Sequence, residues 1–98
     1  MKLQRNVVGV AVAIMRQEDW PRWLALDPNF QPDFSHWLQR TKTAIANLEA
    51  AGTRVEKIVV DPVAFDRWRQ ERGQPMSAPV RATYAAWVLA QKDTRDGG

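Results

Sequence analysis

The feature that most constrains the fold is a nearly uninterrupted apolar run at residues 6–15, NVVGVAVAIM. A valine-rich run without alternating polar residues is typical of a strand that is buried on both faces. Even-numbered positions from 8 to 14 carry valine or isoleucine, whereas odd-numbered positions from 9 to 13 carry glycine or alanine. We therefore predict a strand whose small face allows a helix or another backbone to approach closely.

The same run has some features of a secretion signal. Lys2 and Arg5 precede it, and Ala11 and Ala13 have the spacing of a cleavage site. That spacing lies inside the apolar run rather than after it, which does not suit cleavage, and the run is too short to cross a bilayer. The chain also has no cysteine, in keeping with a reducing compartment. We expect a cytoplasmic protein that does not bind membranes.

The clearest helix is predicted over residues 33–52, where apolar side chains recur at intervals of three and four. Asp33 is placed to cap its start, and Gly52 can supply the left-handed residue at its end. The segment RVEKIVVD at residues 54–61 is predicted to form a second strand. This order gives a βαβ unit, because the helix has the length needed for the crossover between parallel strands.

Three further helices are predicted from the residues that precede them. Their ranges are 20–26 after Asp19, 62–72 after Asp61, and 78–92 after Ser77, with Gly73 ending the second. The chain is therefore predicted to be a single small α/β domain over residues 1–92 with a flexible tail at 93–98. Its predicted architecture is β-α-β-α-α, with a two-stranded parallel sheet packed by helices and completed by dimerisation; an α+β arrangement is the alternative.

Self-association is predicted because a two-stranded sheet is marginal alone and an apolar edge strand must be paired or covered. The last helix is also apolar nearly all round, which favours burial on more than one side. A homodimer that uses this helix, a strand edge or both would cover the apolar edge strand and bury the last helix on a second side. The candidate interface residues are Val80, Tyr84, Trp87 and Val88. A compact monomer whose alanine face covers the sheet is the alternative.

No complete catalytic or metal site is evident in the sequence. His36 is the single histidine, Asp33 already serves as a cap, and neither Ser35 nor Ser77 lies in a nucleophile-elbow motif. The sequence also lacks a glycine-rich phosphate loop. We therefore expect a non-enzymatic protein without a cofactor or metal. The leading interpretation is a homodimeric protein–protein interaction or regulatory module, whose partner is itself and possibly another protein.

A nucleic-acid-binding protein is the first alternative, because the net charge is +3 and two helices at residues 61–91 flank a glycine-containing turn. The candidate contacts are Arg67, Arg69, Arg72 and Arg81. A recognition helix presents a polar face to base edges, and the second helix here is mostly apolar. Acidic residues also interrupt the arginine patch, so this alternative is not favoured.

A small-ligand-binding domain is the second alternative, since five tryptophans are many for 98 residues. Trp20, Trp23 and Phe30 lie in the irregular connection at residues 19–34 and are candidate ligand or partner contacts. The competing interpretation is that large aromatic side chains provide core burial in a short chain. Trp68 and Trp87 are expected to pack together beside the turn between the last two helices.

Overall fold

The structure is a computed structural model that describes residues 9–97, with side chains described for residues 9–92. Its elements are β1 (Val10–Ile14), a 3-10 turn (Gln17–Asp19), α1 (Trp20–Leu26), α2 (Phe34–Ala50), β2 (Val55–Val59), α3 (Pro62–Glu71) and α4 (Ala78–Gly97). The first strand was predicted from residue 6, and residues 6–8 lie outside the described part of the chain.

The two strands form a parallel sheet in which Val10 pairs with Val55 and Ile14 pairs with Val59. The helix α2 makes the crossover between the strands, which confirms the predicted βαβ unit. The predicted fold class is confirmed as well, because helices pack around a small two-stranded parallel sheet in a compact α/β arrangement.

The capping residues set the bounds of α2 and α3 as predicted. The carboxylate of Asp33 accepts a hydrogen bond from the Ser35 N–H at 2.9 Å. The carboxylate of Asp61 accepts one from the Ala64 N–H at 2.8 Å. Gly52 follows α2 with φ at +87°, the left-handed conformation that ends many helices and that glycine adopts without strain.

Two sequence-based expectations are corrected. Asp19 precedes α1, but its side chain does not cap the helix, because it accepts a hydrogen bond from Arg16 Nε at 2.9 Å instead. The last helix continues to Gly97, beyond the end predicted for it at residue 92, because neither glycine nor proline interrupts the sequence between Pro79 and Gly97. Even so, no helix within residues 9–97 is long and apolar enough to cross a membrane.

The core consists of two clusters of buried side chains. The larger cluster is mainly aromatic and contains Met15, Trp20, Trp23, Phe30, Val60, Phe65, Trp68 and Val80. The smaller cluster lies between α4 and the sheet and consists of Ile58, Ala85 and Leu89, with Ala11 and Ala13 packed against it. This contact confirms the prediction that the small face of β1 lets a helix approach closely.

Candidate functional site

Within residues 9–97 the sheet has two strands, so the edge of β1 that faces away from β2 is free of any pairing described there. Val10 donates its N–H to the Arg54 carbonyl oxygen at 2.8 Å, so it bonds toward β2. In a parallel ladder, alternate residues direct both their N–H and C=O groups to the same neighbouring strand. The backbone groups of Ala11 and Ala13 therefore point away from β2, toward the side where a third strand would pair.

The free edge of β2 differs from that of β1 in its charge. By the same alternation, the backbone of Lys57 points away from β1, and the Lys57 side chain is exposed. Charged side chains on an edge strand, lysine above all, discourage pairing with another chain. β1 contains only valine, alanine and isoleucine over Val10–Ile14. The unprotected edge is therefore that of β1.

A cleft of about 510 Å³ opens beside β1, between α2 and α4. Its apolar wall includes Val12, Met15, Phe30 and Trp37. Two arginines also line it: Arg40 from α2 and Arg81 from α4. Neither aspartate nor glutamate is among the described residues that line it. The cleft thus combines an apolar wall with two guanidinium groups, of which Arg81 is paired with Asp27, a residue outside the lining.

Arg81 is buried although it carries a charge, with 9% of its side chain exposed. Its Nη1 donates to Asp27 Oδ2 at 3.1 Å, and its guanidinium carbon lies 4.7 Å from the centre of the Phe30 ring and 5.6 Å from that of Trp23. The other oxygen of Asp27 accepts the Asn29 N–H at 2.9 Å. This ion pair joins α4 to the connection between α1 and α2.

The three aromatic residues predicted to contact a ligand or partner, Trp20, Trp23 and Phe30, are buried in the larger core cluster. Trp20 Nε1 donates to the Gln31 carbonyl oxygen at 3.0 Å. Trp23 Nε1 is buried without a hydrogen-bond partner in the described part of the chain. Phe30 also lines the cleft. Burial therefore favours the structural interpretation for all three residues, and Phe30 is the one that also lines the cleft.

The four candidate nucleic-acid arginines are not brought together on one free surface. One of them forms the buried ion pair described above, and Arg69 lies 2.8 Å from Asp66. Arg67 is exposed and forms no salt bridge within residues 9–92. Glu71, four residues further along the helix, lies 3.7 Å from Arg72. Nucleic-acid binding stays a prediction that these contacts do not favour.

The predicted contact between Trp68 and Trp87 is present, with ring centres 5.9 Å apart. The guanidinium carbon of Arg72 lies 4.6 Å from the centre of the Trp68 ring and 5.3 Å from that of Trp87. Tyr84 also contacts Trp68, at 5.2 Å between ring centres. These contacts join α3 to α4, so Arg72 serves this packing.

The candidate dimer residues on α4 are partly used inside the monomer. Val80 is buried in the larger core cluster, and Tyr84 packs against Phe65 at 5.5 Å between ring centres. Val88 is half-buried and packs against the cluster beneath α4, whereas Trp87 is exposed. Of the four candidate interface residues, Trp87 is therefore the one that remains exposed for contact with a second copy.

Sequence patterns do not single out Asp27 or Arg40 as functional. Asp27 precedes a proline and an asparagine, which indicates a local turn, and it does accept the Asn29 N–H. The sequence feature that could have indicated its ion pair is Arg81. This charged residue lies on the face of α4 that also carries the buried Ala85 and Leu89. A charge on such a face is expected to need a buried partner.

Over the described residues, the fold and these features together define a small α/β protein whose apolar β1 edge lies beside an arginine-lined cleft. The chain matches no family model, and neither a curated protein nor a solved structure matches it.

Proposed function

We propose that this protein is a homodimeric protein–protein interaction module of the cytoplasm, in which two copies pair through the free edge of β1. The observation that carries the proposal is the difference between the two edges of the sheet: β1 is wholly apolar, whereas β2 presents Lys57. A two-stranded sheet is marginal by itself. Pairing of two β1 strands would turn it into one continuous sheet shared by both copies.

The twofold symmetry of common homodimers supports this arrangement. A twofold axis brings the same surface of each copy together, and two β1 edges related in this way run antiparallel. The N–H and C=O groups of Ala11 and Ala13 then find partners in the other copy. Antiparallel pairing suits strands that meet edge to edge without a connecting helix.

The flank of α4 nearest the cleft also suits close contact. Ala82 and Ala86 are exposed and lie four residues apart, so they share one side of the helix. Ala82 lines the cleft beside β1, whereas Ala85 and Leu89 pack against the sheet. Small side chains on this flank leave room for a second copy of α4 once the strands have paired.

The proposal is tested by two matched lysine substitutions. Val10 and Val59 are 44% and 57% exposed, and the register places them on the same face of the sheet but on different strands. Val10→Lys puts a charge on the edge of β1 in both copies, whereas Val59→Lys adds one to the edge of β2. Circular dichroism and thermal melting of both variants verify that each is folded.

Light scattering over a range of concentrations gives the result. We expect a mass near twice the 11.2 kDa of one chain for the unmodified protein and for Val59→Lys, and a monomer for Val10→Lys. A monomeric unmodified protein at high concentration would overturn the proposal. A dimer that both substitutions weaken equally would also overturn it, because the β1 edge would then have no special role.

A further inference from the structure

We propose that the cleft beside β1 binds a small organic carboxylate with an apolar body, and that Arg81 and Arg40 hold its carboxylate group. This inference goes beyond self-association and does not depend on it. Val12, Ala13 and Ala82 line the cleft and also lie on the surface proposed to pair, so a second copy at the β1 edge would compete with the ligand; the site is argued for the single chain.

The first observation behind this site is the hydrogen bonding of Arg81. A guanidinium group has five N–H donors, and one hydrogen bond from this side chain occurs within the described residues, to Asp27. Arg81 lines the cleft, whereas Asp27 does not. Asp27 thus engages one of the five donors, and Arg81 has no other side-chain hydrogen-bond partner among the described residues. A planar fork of donors matches a carboxylate group closely.

The second observation is the sign of the local charge. Arg40 adds a cation from α2, on the other wall of the cleft. The first turn of α4 contributes Ala78 to the lining, so the positive end of the helix dipole lies there. With neither Asp nor Glu among the described lining residues, Arg40 meets an entering anion without a lining carboxylate, whereas the charge of Arg81 is already balanced by Asp27.

The third observation is the apolar wall, which distinguishes an organic anion from inorganic phosphate. Val12, Met15, Phe30 and Trp37 offer an aliphatic and aromatic surface. The volume of about 510 Å³ falls within the range of small-molecule sites, roughly 300–1,000 Å³. A carboxylate that carries one aromatic ring or a branched alkyl group therefore matches both the arginine side chains and the apolar wall of the cleft.

A titration followed by two-dimensional ¹H–¹⁵N NMR tests the site. The probes are 3-phenylpropionate, its neutral amide 3-phenylpropanamide, and inorganic phosphate. We expect saturable shifts of the Ala78 and Ala82 amides with the carboxylate, and affinity at least roughly tenfold lower for the amide, because it cannot form charge-assisted hydrogen bonds. Phosphate should not compete. The absence of saturable shifts with 3-phenylpropionate, or equal affinity for the amide, would overturn the inference.

Two pairs of variants locate the binding. Arg40→Gln should weaken carboxylate binding at least roughly tenfold, whereas Arg67→Gln, an exposed arginine outside the cleft, should leave it unchanged. Ala44 lines the cleft and Ala46 does not, although both are exposed on α2. Ala44→Trp should therefore abolish binding and Ala46→Trp should preserve it. Equal effects within either pair would place binding elsewhere and contradict the inference.

The titration is repeated on Val10→Lys so that the two proposals are judged separately. Binding to a monomeric variant supports the cleft site whether or not the unmodified protein dimerises. A monomeric Val10→Lys variant that is folded but does not bind the carboxylate contradicts this inference alone. A monomeric unmodified protein that binds it contradicts the proposed self-association alone.

Discussion

The Arg81–Asp27 ion pair provides a quantitative test of the core. Arg81→Met would leave the Asp27 carboxylate buried, with 7% of that side chain exposed, and with the Asn29 N–H as its remaining hydrogen-bond donor among the described residues. Removing one member of a buried ion pair costs about 3–5 kcal/mol. The stability of a whole domain is about 5–15 kcal/mol. We therefore expect this substitution to move the unfolding midpoint strongly to lower denaturant.

The pairwise contribution is separated by a double-mutant cycle with Asp27→Asn. Asparagine keeps an oxygen that can accept the Asn29 N–H, so the substitution removes mainly the charge. It leaves Arg81 buried without its anionic partner, which should cost about 3 kcal/mol or more. The double variant contains neither charge, so its loss of stability should be smaller than the sum of the two single losses, by about 2–3 kcal/mol.

Urea unfolding followed by tryptophan fluorescence and far-UV circular dichroism supplies the free energies by linear extrapolation. Arg67→Met is the control, because Arg67 is exposed and forms no salt bridge within residues 9–92; its free energy of unfolding should change by less than about 0.5 kcal/mol. Single-variant losses below about 1 kcal/mol would refute the reasoning. Strictly additive losses would refute it equally, since they would show that the two side chains do not interact.

Three further outcomes follow from local geometry. Burial raises the pKa of Tyr84, and the negative charge of Asp61 raises it further. The folded protein therefore holds the phenolic proton more tightly than the unfolded chain does. The resulting contribution to folding stability is present below pH about 10 and is lost as pH rises through the pKa of the folded state. Ultraviolet titration of this single tyrosine should give a lower pKa in Asp61→Asn than in the unmodified protein, but one still above the ordinary value for tyrosine. An ordinary pKa in the unmodified protein would contradict the account. A methyl group at Gly9 would overlap Glu56 Cγ, so Gly9→Ala should lower the urea midpoint by an amount equivalent to about 1 kcal/mol; no change would show that the space is available. Gly52→Ala places a side chain at φ +87° and should cost about 1 kcal/mol in the same assay, whereas a neutral effect would argue against the left-handed turn.

The local elements were predictable because each is set by residues close together in the chain. The alternation of large and small residues in β1 identified the face that α4 covers, and Asp33 and Gly52 marked the ends of α2. Asp19 shows the limit of this approach. Its residue type and position suited a cap, but Arg16 is also within reach and takes the carboxylate. A capping pattern does not reveal which of two neighbouring donors is used.

The cleft depends on contacts between distant segments, so its residues could not be predicted from sequence patterns. Asp27 and Arg81 are separated by 54 positions. Arg40 and Arg81 line the same cleft because the crossover helix α2 and the last helix α4 lie on either side of it, beside β1. The sequence allowed Trp20 and Trp23 to be either core or contact residues. Their burial depends on how α1 packs into the larger cluster, which is a contact between distant segments.

Amide hydrogen exchange measured as a function of protein concentration tests the pairing of β1 edges most directly. In an isolated chain, the N–H groups of Ala11, Ala13 and Lys57 all point away from the sheet and should exchange rapidly. We expect the two alanine amides to become protected as concentration rises, whereas the Lys57 amide stays unprotected. Protection of Lys57 together with continued rapid exchange of Ala11 and Ala13 would contradict the account.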